Sequence, residues 1–143
     1  MPIYATIIRT IFGVIFVLAG VVHLIQGRVD PGGYAVFADT ALLPWLAELW
    51  RGFVMDNIGW LTVLLAVFQI ACGLGLACRR TQRPAAWGVL AFLLFITVVG
   101  YGFPAATALE DFLKNRLVTI VMALLVLPLL PRGNAASFRS RRA

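Results

Sequence analysis

The chain has 143 residues, 62% of them hydrophobic and only 13% charged. A soluble domain carries about 45–50% apolar and about 25% charged residues, and a chain this short has no interior in which to hide the excess. The composition excludes a water-soluble globule and leaves no room for a separate catalytic domain; lipid around a helical bundle accommodates it. Lys and Arg number 12 against 6 Asp and Glu, a net charge of +6. The arginines flank apolar runs, which reads as membrane topology rather than nucleic-acid binding.

In chain order, the first apolar run covers 5–26, with Arg9 near its start and His23 near its end. At 1.5 Å per residue it crosses a hydrocarbon layer of about 30 Å. No small-residue cleavage site closes it, so it reads as a retained span rather than a signal peptide. GRVDPGG follows as turn chemistry, with Pro31 setting φ and Gly32 and Gly33 permitting positive φ. Over 44–55, Leu46, Leu49, Trp50 and Phe53 recur at i, i+3, i+4 and i+7, which predicts a short amphipathic helix at the membrane surface with Trp45 and Trp50 as anchors.

The second span covers 58–78, opened by Asp56 and Asn57 as a cap and closed by Arg79 and Arg80. RRTQRP is a polar hairpin, and Pro84 suits the first turn of a third span over 84–103 that Pro104 stops. A short loop with Glu110, Asp111 and Lys114 leads to a fourth span over 115–130, followed by a basic tail over 132–143. The expected fold is all-α: residues 1–143 form a single transmembrane domain, a four-helix bundle with one interfacial helix in the first outer loop.

The charges segregate. Arg9, Arg79, Arg80, Arg83, Arg132, Arg139, Arg141 and Arg142 share one side. All six acids (Asp30, Asp39, Glu48, Asp56, Glu110 and Asp111) share the other, with Arg28, Arg51, Lys114 and Arg116. The positive-inside rule places the first group, and with it both termini, in the cytoplasm. The compact form suits a bacterial inner membrane.

His23 is the only histidine, and it cannot form a bis-His haem site alone. It hydrogen-bonds either a quinone carbonyl or other headgroup-level ligand, or a neighbouring helix. Gln26 shares its face three residues on. Gln69, near mid-span, needs a buried partner and would tie two helices together. Thr97 and Tyr101, at i and i+4, reach His23 if the helices pack that way. Lys114, Asn115 and Arg116 open the fourth span and either hold a phosphate or quinone headgroup or anchor the helix end. The candidate ligand contacts are therefore His23, Gln26, Gln69, Tyr101, Lys114 and Arg116.

Ala71–Gly75 and Gly73–Ala77 are small-residue pairs that allow close helix approach, within the chain or against a partner. Cys72 and Cys78 sit roughly 240° apart on a helix and cannot pair with each other. There is no CxxC, Walker, HExxH or GxSxG motif, no metal cluster, no intramembrane carboxylate and no evident cofactor, quinone excepted. These absences favour a role other than catalysis for the chain alone.

Four segments resemble the DoxX-like membrane proteins: RTIFGVIFVLAGVVHL, FQIACGLGLACRRTQRPAA, KNRLVTIVMALLVLP and RGNAASFR. The resemblance implies a four-helix bundle and, for some relatives, a quinone-linked membrane subunit of thiosulfate oxidation. Many members carry a glutamate where Gln69 stands. Three functions follow as expectations. The preferred one is an accessory, anchoring or assembly subunit of a larger membrane complex, with a membrane-protein partner or a homo-oligomer. The alternatives are a quinone-interacting oxidoreductase subunit and an oligomeric lipid or small-solute carrier.

Overall fold

The computed structural model describes residues 2–130. The basic tail, with Arg132, Arg139, Arg141 and Arg142, lies outside them. Helix α1 (Pro2–Val29) is the longest, 28 residues or about 42 Å. Its glycines explain its main contact. Gly13, Gly20 and Gly27 recur every seven residues and face α4 (Ile58–Ala77). A Cβ on Gly20 would come within 2.8 Å of the Ala66 carbonyl, and one on Gly73 within 2.7 Å of the Gly13 carbonyl. Gly27 meets the Thr62 side chain. The partner numbers fall as the α1 numbers rise, so the helices are antiparallel, backbone against backbone.

Helix α5 (Gln82–Val99) returns beside α4, where Gly75 admits the Ala85 methyl. Helices α6 (Ala108–Asn115) and α7 (Leu117–Val126) follow, and Leu127–Leu129 end the described chain as a 3₁₀ turn. Contacts run α1 to α4, α4 to α5 and α5 to α7. The ring closes where the Tyr4 hydroxyl donates to the Leu125 carbonyl at 2.8 Å. Phe12 and Phe16 of α1, Leu76 of α4, Val89 and Leu93 of α5 and Val126 of α7 fill the interior. Phe16 meets Phe92 edge to face, with ring centroids 5.5 Å apart.

Three helices, α1, α4 and α5, are long and apolar enough to cross a membrane. A fourth is available if α6 and the segment from Leu117 to Leu129, bent by 46° at Arg116, count together. The expected outer loop around Glu110 is therefore helical. Thr107 explains it: its hydroxyl accepts the Glu110 amide, while the Glu110 carboxylate accepts the Ala106 amide.

Several boundaries differ from the sequence reading. Helix α5 ends at Val99 and not at Pro104, because Gly100 adopts φ +85° and turns the chain. Gly32 and Gly33 do not use positive φ. Asp30 instead accepts the Gly33 amide, and Pro31–Val36 coil into a 3₁₀ turn. Asn57 stands at the start of α4, but its side chain accepts from Trp60 Nε1 at 2.9 Å rather than capping the helix.

The expected surface helix is α3 (Pro44–Leu49), widened by a π turn over Trp50–Val54, and it follows the single turn α2 (Phe37–Thr40). Its buried face is Leu46 and Trp50, while Leu49 and Phe53 are exposed. Trp45 faces outward, but Trp50 is no surface anchor. It packs with Ala38 and Val99 and donates Nε1 to the Tyr34 carbonyl at 2.8 Å.

Candidate functional site

Among the described residues, the fold places Arg9, Arg79, Arg80 and Arg83 at one end of the bundle and the six acids at the other. At the basic end, Arg9 of α1 bonds the Gln82 side chain at the start of α5, beside the Arg79–Arg80 hairpin. The other end carries the acids and two separate polar assemblies.

The first assembly surrounds the α6–α7 bend. Arg116 is only 6% exposed. Its Nε donates to Asp111 at 2.9 Å, and its terminal nitrogens donate to the carbonyls of Thr97 and Thr40, each at 2.6 Å. The Thr97 carbonyl lies in the last turn of α5, where the helix has no further amides to offer, so the guanidinium caps it. Asn115 is fully buried and stitches the strap after α5. Its Oδ1 accepts the amides of Tyr101 and Phe103, and its Nδ2 donates to the Phe103 carbonyl and to Asp111. Thr40 adds to the same knot, donating to the Val99 carbonyl and accepting the Gly102 amide. Thr97 bonds Thr119 rather than His23. Lys114 is held by Glu110 at 2.5 Å and by the Pro104 carbonyl. Lys114 and Arg116 are thus engaged by the chain's own acceptors.

The second assembly is a cleft of about 280 Å³ lined by His23, Gln26, Tyr34, Phe37 and Tyr101, among others. Three of the six candidate residues meet here. Gln69, Lys114 and Arg116 do not line it. His23 lies about 11 Å along α1 from its middle, toward the end of the bundle that carries the acids. Its Nδ1 is 2.6 Å from the Tyr34 hydroxyl. Burial raises the Tyr34 phenol above its ordinary value, which keeps it protonated. His23 Nε2 has no hydrogen-bond partner among the described residues, and it carries the imidazole proton in the tautomer in which the Tyr34 hydroxyl donates to Nδ1.

Tyr34 is the residue missed in the sequence. Its only signal was a lone tyrosine behind a Gly-Gly turn, eleven residues beyond His23. It is fixed from behind by an aromatic row, Tyr34–Phe37–Trp50–Phe95, with successive centroids 6.0, 5.6 and 6.3 Å apart. Gln26 makes only long contacts of 3.4 Å to Asp30, so its amide is loosely held at the cleft.

Gln69 stands elsewhere. It is 1% exposed near the middle of α4, and its Oε1 has no hydrogen-bond partner. The expected helix-tying bond from that oxygen is not made. The small-residue pairs are used within the chain, Gly73 against α1 and Gly75 against α5. Among the described residues, no three of His, Cys, Asp and Glu gather as a metal site requires. Comparison with protein-family models, with curated proteins and with solved structures finds no match to this chain.

Proposed function

We propose that the chain is an integral membrane protein of four spans, α6 and α7 together forming the fourth, with its basic end in the cytoplasm. Within that frame it is a non-catalytic binding subunit for a carbonyl-bearing amphiphile of the quinone class. The observation that carries the reading is the convergence of His23, Gln26, Tyr34 and Tyr101 on one cleft. A quinone carbonyl accepts hydrogen bonds, and the cleft offers the imidazole Nε2–H, the Gln26 amide and the Tyr101 hydroxyl as donors. Phe37 and Val22 supply apolar walls.

The chain's own residues hold and orient the ring; electrons come from a partner. That partner requirement retains the accessory-subunit idea. The packing supports binding over scaffolding, because the small-residue faces that would receive a partner helix are occupied internally.

The test is quinone content after gentle detergent extraction, measured by chromatography of an organic extract. The wild type should retain quinone near one per chain. His23→Ala and Tyr34→Phe should each lower affinity about three- to tenfold, the worth of one hydrogen bond. Equal retention by wild type and His23→Ala would remove the cleft from consideration.

A further inference from the structure

A second cavity system lies at the basic end, far from the His23 cleft. A groove of about 530 Å³ runs between α1 and α4, lined from Thr6 to Leu18 on one wall and from Gly73 to Arg79 on the other. It opens outward, since Val14, Leu18 and Leu74 are exposed. Its length along α1 is twelve residues, about 18 Å, close to the roughly 15 Å of one hydrocarbon leaflet. At its basic end it joins a smaller cavity of about 320 Å³ that shares Thr6, Arg9, Leu76 and Arg79 and adds Gln82.

Among the described residues, no carboxylate compensates the charge at this mouth. Arg9 is held by three neutral acceptors: the Ala5 carbonyl, the Gln82 side chain and the Thr6 hydroxyl. These fix the guanidinium and leave two of its five N–H donors for another partner. Arg79 is exposed and makes no ion pair among the described residues. The three ion pairs of the described residues are all at the opposite end, as are all six carboxylates. A groove that is apolar for the depth of one leaflet and doubly cationic at its mouth matches one class of molecule.

We propose that this groove binds an anionic phospholipid, its acyl chain along the α1–α4 seam and its phosphate on Arg9 and Arg79. The proposal rests on the membrane-spanning reading above. Arg9 supplies a planar, pre-oriented fork, and Arg79 a second cation from the neighbouring helix end. Near a membrane surface each arginine contributes about fivefold in preference for an anionic lipid, so the pair gives about 25-fold.

The test is native mass spectrometry of the full-length protein in mild detergent, titrated with phosphatidylglycerol and phosphatidylcholine of identical acyl chains. The wild type should favour phosphatidylglycerol about 25-fold, and Arg79→Gln should reduce that preference about fivefold. The double variant Arg9→Gln/Arg79→Gln should abolish it. Arg80→Gln/Arg83→Gln, which removes two charges outside the groove, should keep it. Val14→Trp should weaken both lipids by filling the groove. Arg79→Gln carries the test alone if loss of the Arg9–Gln82 bond unfolds the double variant.

Equal retention of the two lipids overturns the proposal. So does an Arg80→Gln/Arg83→Gln loss as large as that of Arg79→Gln. Displacement of the adduct by millimolar inorganic phosphate would assign the arginines to free phosphate and also overturn it. Alkaline carbonate extraction separates the two levels. A protein released into the soluble fraction sinks the membrane reading, while one retained in the pellet without lipid preference sinks only this proposal.

Discussion

Replacing Arg116 by Met tests whether the polar knot at the α6–α7 bend holds this end of the bundle together. The substitution keeps much of the side-chain volume and removes the guanidinium. It leaves the Asp111 carboxylate with Asn115 as its remaining partner and strips the carbonyls of Thr40 and Thr97 of theirs. Breaking a buried pair by removing one member costs about 3–5 kcal/mol. The Asp111 side chain is 27% exposed, so water recovers part of its hydration and the lower figure, about 3 kcal/mol, applies. For a chain of this size that is a fall of about 6–12 °C in Tm. The assay is thermal unfolding in detergent followed by a fluorogenic thiol probe, in a Cys78→Ser background so that only buried Cys72 reports. Adding Asp111→Asn to Arg116→Met should recover part of the loss, because no bare charge is then left behind. A Tm within about 2 °C of the parent for Arg116→Met would refute the reasoning and mark the knot as decorative.

Three further outcomes are expected. Gln69→Leu removes an orphaned buried oxygen, so it should raise stability by about 1 kcal/mol or leave it unchanged; a clear drop in Tm would show that the amide serves a ligand or water. Gly100→Ala puts a Cβ 2.5 Å from the Thr40 hydroxyl at φ +85° and should cost about 2 kcal/mol or more, read in the same thermal assay, with parent-like stability counting against the strap geometry. Cys78, exposed at the end of α4, has its thiol held below the ordinary range, first by the Arg80 amide and then by the Thr81 hydroxyl and amide. A membrane-impermeant maleimide should therefore label Cys78 in inverted vesicles and not in intact cells, with the rate falling only below the pH at which an ordinary thiol has already lost reactivity. Labelling in intact cells would reverse the orientation.

Much of this architecture was legible in the sequence because hydropathy is additive along a helix. The start of α4, its end to within one residue, and the separation of Arg9 and Arg79 from all six acids follow from composition read in order, while α1 extends three residues beyond its apolar run at each end. Boundaries set by single residues were harder. Gly100 ends α5 before Pro104 through its conformation, and Thr107 starts a helix where charged residues suggested a loop. The seven-residue glycine spacing in α1 was also present in the sequence, but its meaning needed the facing residues of α4.

The candidate site divides along the same line. Residue type and depth marked His23, Gln26 and Tyr101 as unusual, yet their meeting in one cleft depends on how α1 packs against the segment that carries Tyr34. Lys114 and Arg116 looked equally available until the bend at Arg116 turned the guanidinium onto the end of α5. A one-dimensional pattern records which groups must avoid or seek lipid, because that preference belongs to each side chain. Which polar groups find each other belongs to the packing of helices far apart in sequence, and only the tertiary structure decided it.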